Sequence, residues 1–219
     1  MRKIFEAELR GVGEDLVQMA EAVYSAMDRA GRALLERDIQ LAQEVIVDDA
    51  KIDQMQRDLD ERCVHILAQQ APVATDLRTV VAALRMGSTL ERMGDLARHV
   101  AEIARGRYPD EAIRPSIKPV FGKMIAAAVD SAKAITVLLR TRDLELAERI
   151  EKDDQILDDL HMDSFSELLH PTWDGTAQEA VDITLLGRYL ERFGDHATSI
   201  SRRVVFLVTG RVHDILQHS

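Results

Sequence analysis

Two copies of an acidic motif are the residues of this sequence best suited to chemistry. The first copy reads LERMGD over residues 90–95 and the second reads LERFGD over residues 190–195, a separation of 100 residues. In each copy a Glu and an Asp are four residues apart, which places both carboxylates on one face of a helix. An isolated pair of this kind is usually a solvated helix surface. The repetition instead indicates a duplicated acidic site, formed by Glu91 with Asp95 and by Glu191 with Asp195.

A second set of acidic pairs precedes these motifs, one pair in each half of the chain. Asp49 and Asp53 are four residues apart, and Asp154 and Asp158 repeat that spacing 105 residues later. If each pair faces the neighbouring motif across two helices, four carboxylates converge, and their repulsion is costly unless a cation or protons lie between them. Carboxylate oxygens suit hard cations such as Mg²⁺, Mn²⁺ or iron. The alternative is that the pairs lie on different faces and never meet.

Six predicted helices position these residues. Apolar residues recur at helical spacing from residue 5 to about residue 37, and the same periodicity resumes five more times along the chain. Asp38 can cap the second helix, Pro72 ends it, and Thr75 or Asp76 can cap the third. The later helices are predicted over about 117–141, 143–169 and 176–208. Short connections make neighbouring helices antiparallel, so the prediction is an all-α fold of two tandem three-helix bundles.

The helical pattern breaks near the middle of the chain. Gly106, Pro109, Pro115 and Pro119 interrupt it. We therefore predict one repeat over residues 1–108 and a second over residues 115–212, related by internal duplication. The second repeat is five residues shorter between its second and third helices, at a loop where a change of length costs little.

The composition favours a helical globular protein and argues against nucleic acid as a partner. Hydrophobic residues make up 46% and charged residues 30% of the 219 residues, with 5 prolines. The formal net charge is −10, whereas a protein that binds nucleic acid needs a basic surface. We expect a cytoplasmic protein, because charge returns too soon after Met1 for a signal peptide and the apolar run over 204–208 cannot span a bilayer. The single cysteine, Cys63, is predicted to be a buried thiol.

Histidines and enzyme motifs add little to the acidic pairs. His99 lies four residues after Asp95, but Ser199 stands at the equivalent position of the second half, and we interpret His99 and His196 as surface or hydrogen-bonded residues. The alternative reading is a di-iron-type carboxylate metalloenzyme, which needs two ExxH pairs facing a bundle core. The sequence over 167–170 supplies one such pair, directly before Pro171. No complete active site is predicted.

Several motifs, in order, resemble the PhoU family of phosphate-uptake regulators. The two LERxGD copies are similar to the paired ERxGD signatures of that family. Residues 70–78, which read QAPVATDLR, are similar to its QxPxAxDLR segment, and residues 206–210, which read FLVTG, to its closing segment. The resemblance covers nearly the whole chain.

The resemblance implies a non-enzymatic role in the cytoplasm. PhoU proteins are expected to repress the phosphate-starvation response when phosphate is plentiful, acting between the ATPase of the phosphate ABC transporter and a sensor histidine kinase. A homodimer that is peripheral to membrane complexes is the expected assembly, and a member that interacts without any metal remains an alternative. The resemblance also implies bound divalent or trivalent metal ions, such as iron, Zn, Mg or Mn. The implied ligands are Asp49, Asp53, Glu91, Asp95, Asp154, Asp158, Glu191 and Asp195.

Overall fold

Six α-helices make up the computed structural model, which describes residues 2–210, with side chains from residue 5 onward. They are α1 (Arg2–Glu36), α2 (Ile39–Gln70), α3 (Ala74–Arg107), α4 (Lys118–Thr141), α5 (Leu144–Leu168) and α6 (Ala177–Thr209). No strand occurs within residues 2–210, so the all-α prediction is confirmed. The last two residues of the predicted second repeat, 211 and 212, lie outside the described residues.

The same two-residue turn joins the first two helices of each half. Arg37 and Arg142 adopt left-handed backbone conformations, with φ of 60° and 55°. The aspartate that follows each arginine then caps the next helix, because the Asp38 carboxylate accepts a hydrogen bond from the Leu41 N–H and the Asp143 carboxylate accepts equivalent bonds. The Arg-Asp pair repeated in the sequence therefore encodes a repeated turn.

The two halves share one hydrophobic core. Within each half the three helices pack around one another, and in addition α1 packs on α4 and α3 packs on α6. Large side chains from both halves, such as Met27, Phe121 and Phe193, are fully buried in a single continuous cluster. Gly31 permits the close approach of α1 to α4, since a Cβ there would lie 2.2 Å from Cγ2 of Ile125. The periodicity of apolar residues predicts the two bundles, and the structure shows in addition that the bundles pack closely against each other.

Polar contacts also link the halves. Arg107, at the end of α3, donates a hydrogen bond to Asp182 on α6, whose side chain is buried. In the connection between α3 and α4, Arg114 bonds Asp174 at 2.7 Å and Glu179 at 3.1 Å. Ile117, just before α4, is fully buried. The connection is thus packed against the second half.

Candidate functional site

The first acidic cluster, Asp49, Asp53, Glu91 and Asp95, forms where α2 packs on α3. Gly94 allows the two helices to approach, since a Cβ there would lie 3.0 Å from Cδ1 of Ile52 and 3.5 Å from Oδ1 of Asp49. Burial raises the pKa of Asp49, and the nearby Asp95 and Asp53 carboxylates raise it further. Burial also raises the pKa of Glu91, with Asp95, Asp53 and Asp49 adding to the effect. The four carboxylates therefore share one electrostatic environment, as the sequence predicts.

Arg98 already supplies a positive charge to this first cluster. Its Nε lies 2.7 Å from Oδ2 of Asp49, and its Nη2 lies 2.8 Å from Oδ1 of Asp95. Its Nη1 lies 2.7 Å from Oε1 of Glu102. A guanidinium keeps its charge at any ordinary pH. It bridges α2 to α3 at the place where a metal ion would otherwise balance the carboxylates.

The second acidic cluster, Asp154, Asp158, Glu191 and Asp195, forms where α5 packs on α6. A Cβ on Gly194 would lie 2.6 Å from Oδ1 of Asp154, so the backbones approach here as they do in the first half. Burial raises the pKa of Asp154 to about 6, with Asp195 and Asp158 contributing. Burial and the Asp195 carboxylate likewise raise the pKa values of Asp158 and Glu191. This cluster is the more repulsive of the two.

The second cluster has no counterpart of Arg98, because Thr198 stands 100 residues later in the repeat. Among the described residues, Asp154, Asp158 and Asp195 have no ion-pair partner within 4 Å. Glu191 alone of the four is paired, with Arg188 at 2.6 Å. The Thr198 side chain is 5% exposed and its hydroxyl makes no complete hydrogen bond, although it lies close enough to lower the pKa of Asp154. A buried, unpartnered oxygen therefore faces the cluster.

His161 borders the second cluster, and the sequence reasoning missed it. Its Nε2 is buried without a hydrogen-bond partner. Burial, then Arg188, lower its pKa, while the Asp158 carboxylate three residues earlier opposes them. A neutral imidazole nitrogen is a good ligand for Zn or iron. The three-residue spacing from Asp158 puts both side chains on one helix face and could have revealed it. Gln56 stands at the matching position of the first half.

The two histidines considered from the sequence lie elsewhere. His99 packs at the α3–α6 contact, 5.1 Å from the Tyr189 ring centroid, and its Nδ1 is buried without a partner. Its Nε2 lies 3.4 Å from Nη2 of Arg98, so the expectation of a hydrogen-bonded histidine holds for one of the two ring nitrogens. Burial lowers the pKa of His196, with Arg192 adding to the effect. His170, from the lone ExxH sequence, bonds Thr172 in the loop after α5, so it does not face a bundle core.

The observed rotamers do not complete a metal site. Among the side chains that the structure describes, no three His, Cys, Asp or Glu groups are arranged to hold a metal ion. The donor set of the second cluster nevertheless fits a hard cation, because three carboxylates make no ion pair within 4 Å among the described residues and the Thr198 hydroxyl oxygen lies beside Asp154. The first cluster fits one less well, since Arg98 holds its oxygens. Rotation of side chains in the second cluster would be needed to surround an ion.

Helices long and apolar enough to cross a membrane are absent from the part of the chain that the structure describes.

Comparison with known proteins identifies the family to which this fold belongs. The family model for the PhoU domain matches residues 16–104 and 121–204. The phosphate-specific transport system accessory protein PhoU homolog 2 of Mycobacterium tuberculosis is 40% identical, over 96% of this chain and 99% of its own. PhoU homolog 1 of Mycobacterium leprae is also 40% identical, over 96% of this chain and 95% of its own. The crystal structure of PhoU from Pseudomonas aeruginosa superposes with a TM-score of 0.89 at 31% identity, covering 94% of this chain and 100% of that one. The resemblance seen in the sequence is confirmed, and the chain belongs to the PhoU family.

Proposed function

We propose that this protein is a cytoplasmic negative regulator of phosphate uptake and of the phosphate-starvation response. In this role it is an adaptor between the ATPase of the phosphate ABC transporter and a sensor histidine kinase, and it works without catalysing a reaction. The observation that carries the proposal is the similarity, over nearly the full length, to proteins named as accessory to the phosphate-specific transport system. A homodimer is the proposed assembly.

The proposed metal centre is the second acidic cluster. Asp154, Asp158, Glu191 and Asp195 would hold a divalent or trivalent cation, with His161 as an adjacent nitrogen donor. The raised pKa values of Asp154, Asp158 and Glu191, and the lack of an ion pair within 4 Å at the three aspartates in the described part of the chain, support this assignment. When bound, the cation supplies positive charge that offsets the repulsion among the carboxylates. The oxygen donors favour Mg, Mn or iron, whereas participation of His161 would favour Zn or iron.

The first acidic cluster is proposed to bind a metal ion more weakly than the second. Asp49, Asp53, Glu91 and Asp95 remain predicted ligands, but a metal ion must first displace Arg98 from the bonds it makes with two of them. We therefore assign the second cluster the higher affinity.

The regulatory role is tested by deleting the gene and measuring alkaline phosphatase in phosphate-rich medium. We expect expression to rise in the deletion strain and to fall again when the wild-type chain is supplied. Co-purification from membranes then asks whether a transporter ATPase or a sensor kinase accompanies the protein. Alkaline phosphatase that stays repressed in the deletion strain would contradict the regulatory role.

The metal assignment is tested by elemental analysis of purified chains. Each protein is dialysed against chelator, reloaded with Mn²⁺, Fe²⁺ or Zn²⁺, and freed of unbound ion. We expect Glu191→Ala to lose most of its bound metal, and Glu91→Ala, the matched change in the first half, to keep it. Full metal content in a Glu191→Ala/Asp195→Ala variant would refute the second-cluster assignment.

A further inference from the structure

A groove between α3 and α6 combines apolar walls with arginines. It has a volume of about 420 Å³ and lies where the start of α3 meets the end of α6. The two sequence segments at this place, residues 70–78 and 206–210, have no part in either acidic cluster. The lining side chains that matter are Leu77, Arg78, Val81, Arg85, Arg203 and Phe206.

The apolar wall of the groove is not covered by any of the residues that the structure describes. Leu77 and Val81, one helical turn apart on α3, are 40% and 39% exposed. Phe206 contributes from α6, and Val73, immediately before α3, is 74% exposed. Aliphatic side chains that line up on one face and remain this exposed are typical of an interaction surface.

Three arginines line the groove without a carboxylate partner. Arg78 stacks over the Phe206 ring, with its Cζ 5.4 Å from the centroid, and its Nε is buried without a hydrogen-bond partner. Arg203 donates to the carbonyl oxygen of Ser199 at 3.1 Å. Neither Arg78 nor Arg85 nor Arg203 forms an ion pair in the part of the chain that the structure describes. Among residues 2–210, no Asp or Glu lines the groove.

This absence of pairing is unusual on an acidic protein. The chain carries 38 Asp and Glu residues against 28 Lys and Arg, so carboxylates are plentiful elsewhere. Burial lowers the pKa of Arg203, and the neighbouring Arg85 lowers it further. The half-buried Arg203 and the exposed Arg85 repel each other, so an anionic group from another molecule would stabilise the pair.

We propose that this groove docks an acidic amphipathic helix of a protein partner. The apolar wall takes the apolar face of that helix, and the arginines bind the carboxylates along its edge. Residues 74–85 of α3 span about 17 Å at 1.5 Å per residue, which matches about three turns of a docked helix. A small anion would satisfy the arginines but leave Leu77, Val81 and Phe206 exposed. The proposal goes beyond the proposed function by naming the docking surface, and it requires no bound metal.

The test measures binding of a synthetic helix to the full chain. The probe is a fluorescein-labelled 18-residue peptide with Leu at positions i, i+3, i+4 and i+7 and Glu on the flanking positions. A scrambled peptide of the same composition removes the apolar face. Fluorescence anisotropy should show binding by the amphipathic peptide and at least about tenfold weaker binding by the scrambled one.

Variants of the chain then locate the binding surface. Arg85→Gln/Arg203→Gln should weaken peptide binding at least about tenfold and reduce its dependence on salt. Leu77→Ser should weaken it through the apolar wall. Arg57→Gln, an exposed arginine on α2 that bonds Gln54, is the matched control and should bind the peptide normally. Circular dichroism melts identify any variant that fails to fold.

Four results would overturn the proposal. The first is no binding of the amphipathic peptide, and the second is equal binding by the Arg57→Gln chain and the double variant. The third is complete displacement of the peptide by millimolar orthophosphate, which would make the groove a small-anion site. The fourth is preferential binding of anionic phospholipid vesicles over the peptide, lost in the double variant. Because the assay uses purified protein in chelator, it is independent of the cellular and metal experiments above.

Discussion

Replacing Arg98 with threonine should make the first acidic cluster depend on metal. The substitution gives the first half the residue that the second half has at the equivalent position, Thr198. Arg98 makes three charge-assisted bonds, and its side chain is 26% exposed against 11% for Asp49. Partly buried bonds of this kind contribute about 1 kcal/mol each, between the values for exposed and buried pairs. The metal-free variant should therefore lose about 2–3 kcal/mol of unfolding free energy.

A bound cation should restore that loss. Binding at a free concentration about 100-fold above its Kd adds about 2.7 kcal/mol to the folded state. For a chain of this size, 1 kcal/mol shifts the Tm by about 2–4 °C, so the variant should melt roughly 5–10 °C lower in chelator and recover with excess Mn²⁺ or Zn²⁺. The wild-type chain should gain less from the same ions, because Arg98 stays in its first cluster.

Circular dichroism melts with and without chelator are the assay. Arg57→Thr is the control for the change in helix propensity, since Arg57 is exposed on α2 and bonds only Gln54 among the described contacts. The reciprocal change, Thr198→Arg, should place a guanidinium beside Asp154 and abolish the metal response of the second cluster. If the Tm of Arg98→Thr equals that of the Arg57→Thr control and does not change with added metal, then Arg98 is not the counter-charge of the first cluster.

Three further predictions concern other parts of the chain. Arg107→Met should cost about 2 kcal/mol in urea denaturation, because it leaves the buried Asp182 carboxylate without its cation; a loss near zero would contradict this. Thr176→Ala should cost about 1 kcal/mol by removing the α6 capping box. Hydrogen bonds from Thr176 lower the pKa of Glu179, so these bonds stabilise the folded state fully above pH 4.5 and lose that effect as the pH falls below 4.5. The loss of stability caused by Thr176→Ala should therefore be larger in melts at pH 7 than in melts at pH 3.5. Burial raises the pKa of Cys63 to about 11, so a thiol reagent at pH 8 should label it only as the chain unfolds, and rapid labelling of the native protein would argue against the buried position.

Local rules predicted which carboxylates share a helix face, and left open whether the faces of neighbouring helices meet. Asp49 and Asp95 come together because four-residue spacing puts each on a defined helix face, and because Gly94 removes the bulk between the helices. The Asp38 cap follows from its place before an apolar periodic run. These features depend on neighbours within a turn or across one short connection.

The counter-charge of the first cluster was harder to see. Arg98 is three residues from Asp95, a spacing that reads as an ordinary surface pair, and its bond to Asp49 joins residues 49 positions apart. Only the orientation of α2 against α3 brings that bond about. Aligning the repeats does expose the difference between Arg98 and Thr198, but its meaning depends on side-chain positions. The packing of α1 on α4 was equally hidden, because periodicity shows that a face is apolar and not which helix covers it.

The sequence of this chain repeats in two segments, but the two segments share one hydrophobic core. Two segments of the chain match one domain model, as expected of a gene that doubled. Yet α4 covers part of the apolar side of α1, and α6 covers part of that of α3, so each segment alone would leave hydrophobic surface exposed. Because both halves lie in one chain, each half covers these helix faces of the other at any protein concentration. We therefore expect either half, expressed alone, to expose apolar surface and to be less soluble than the whole chain.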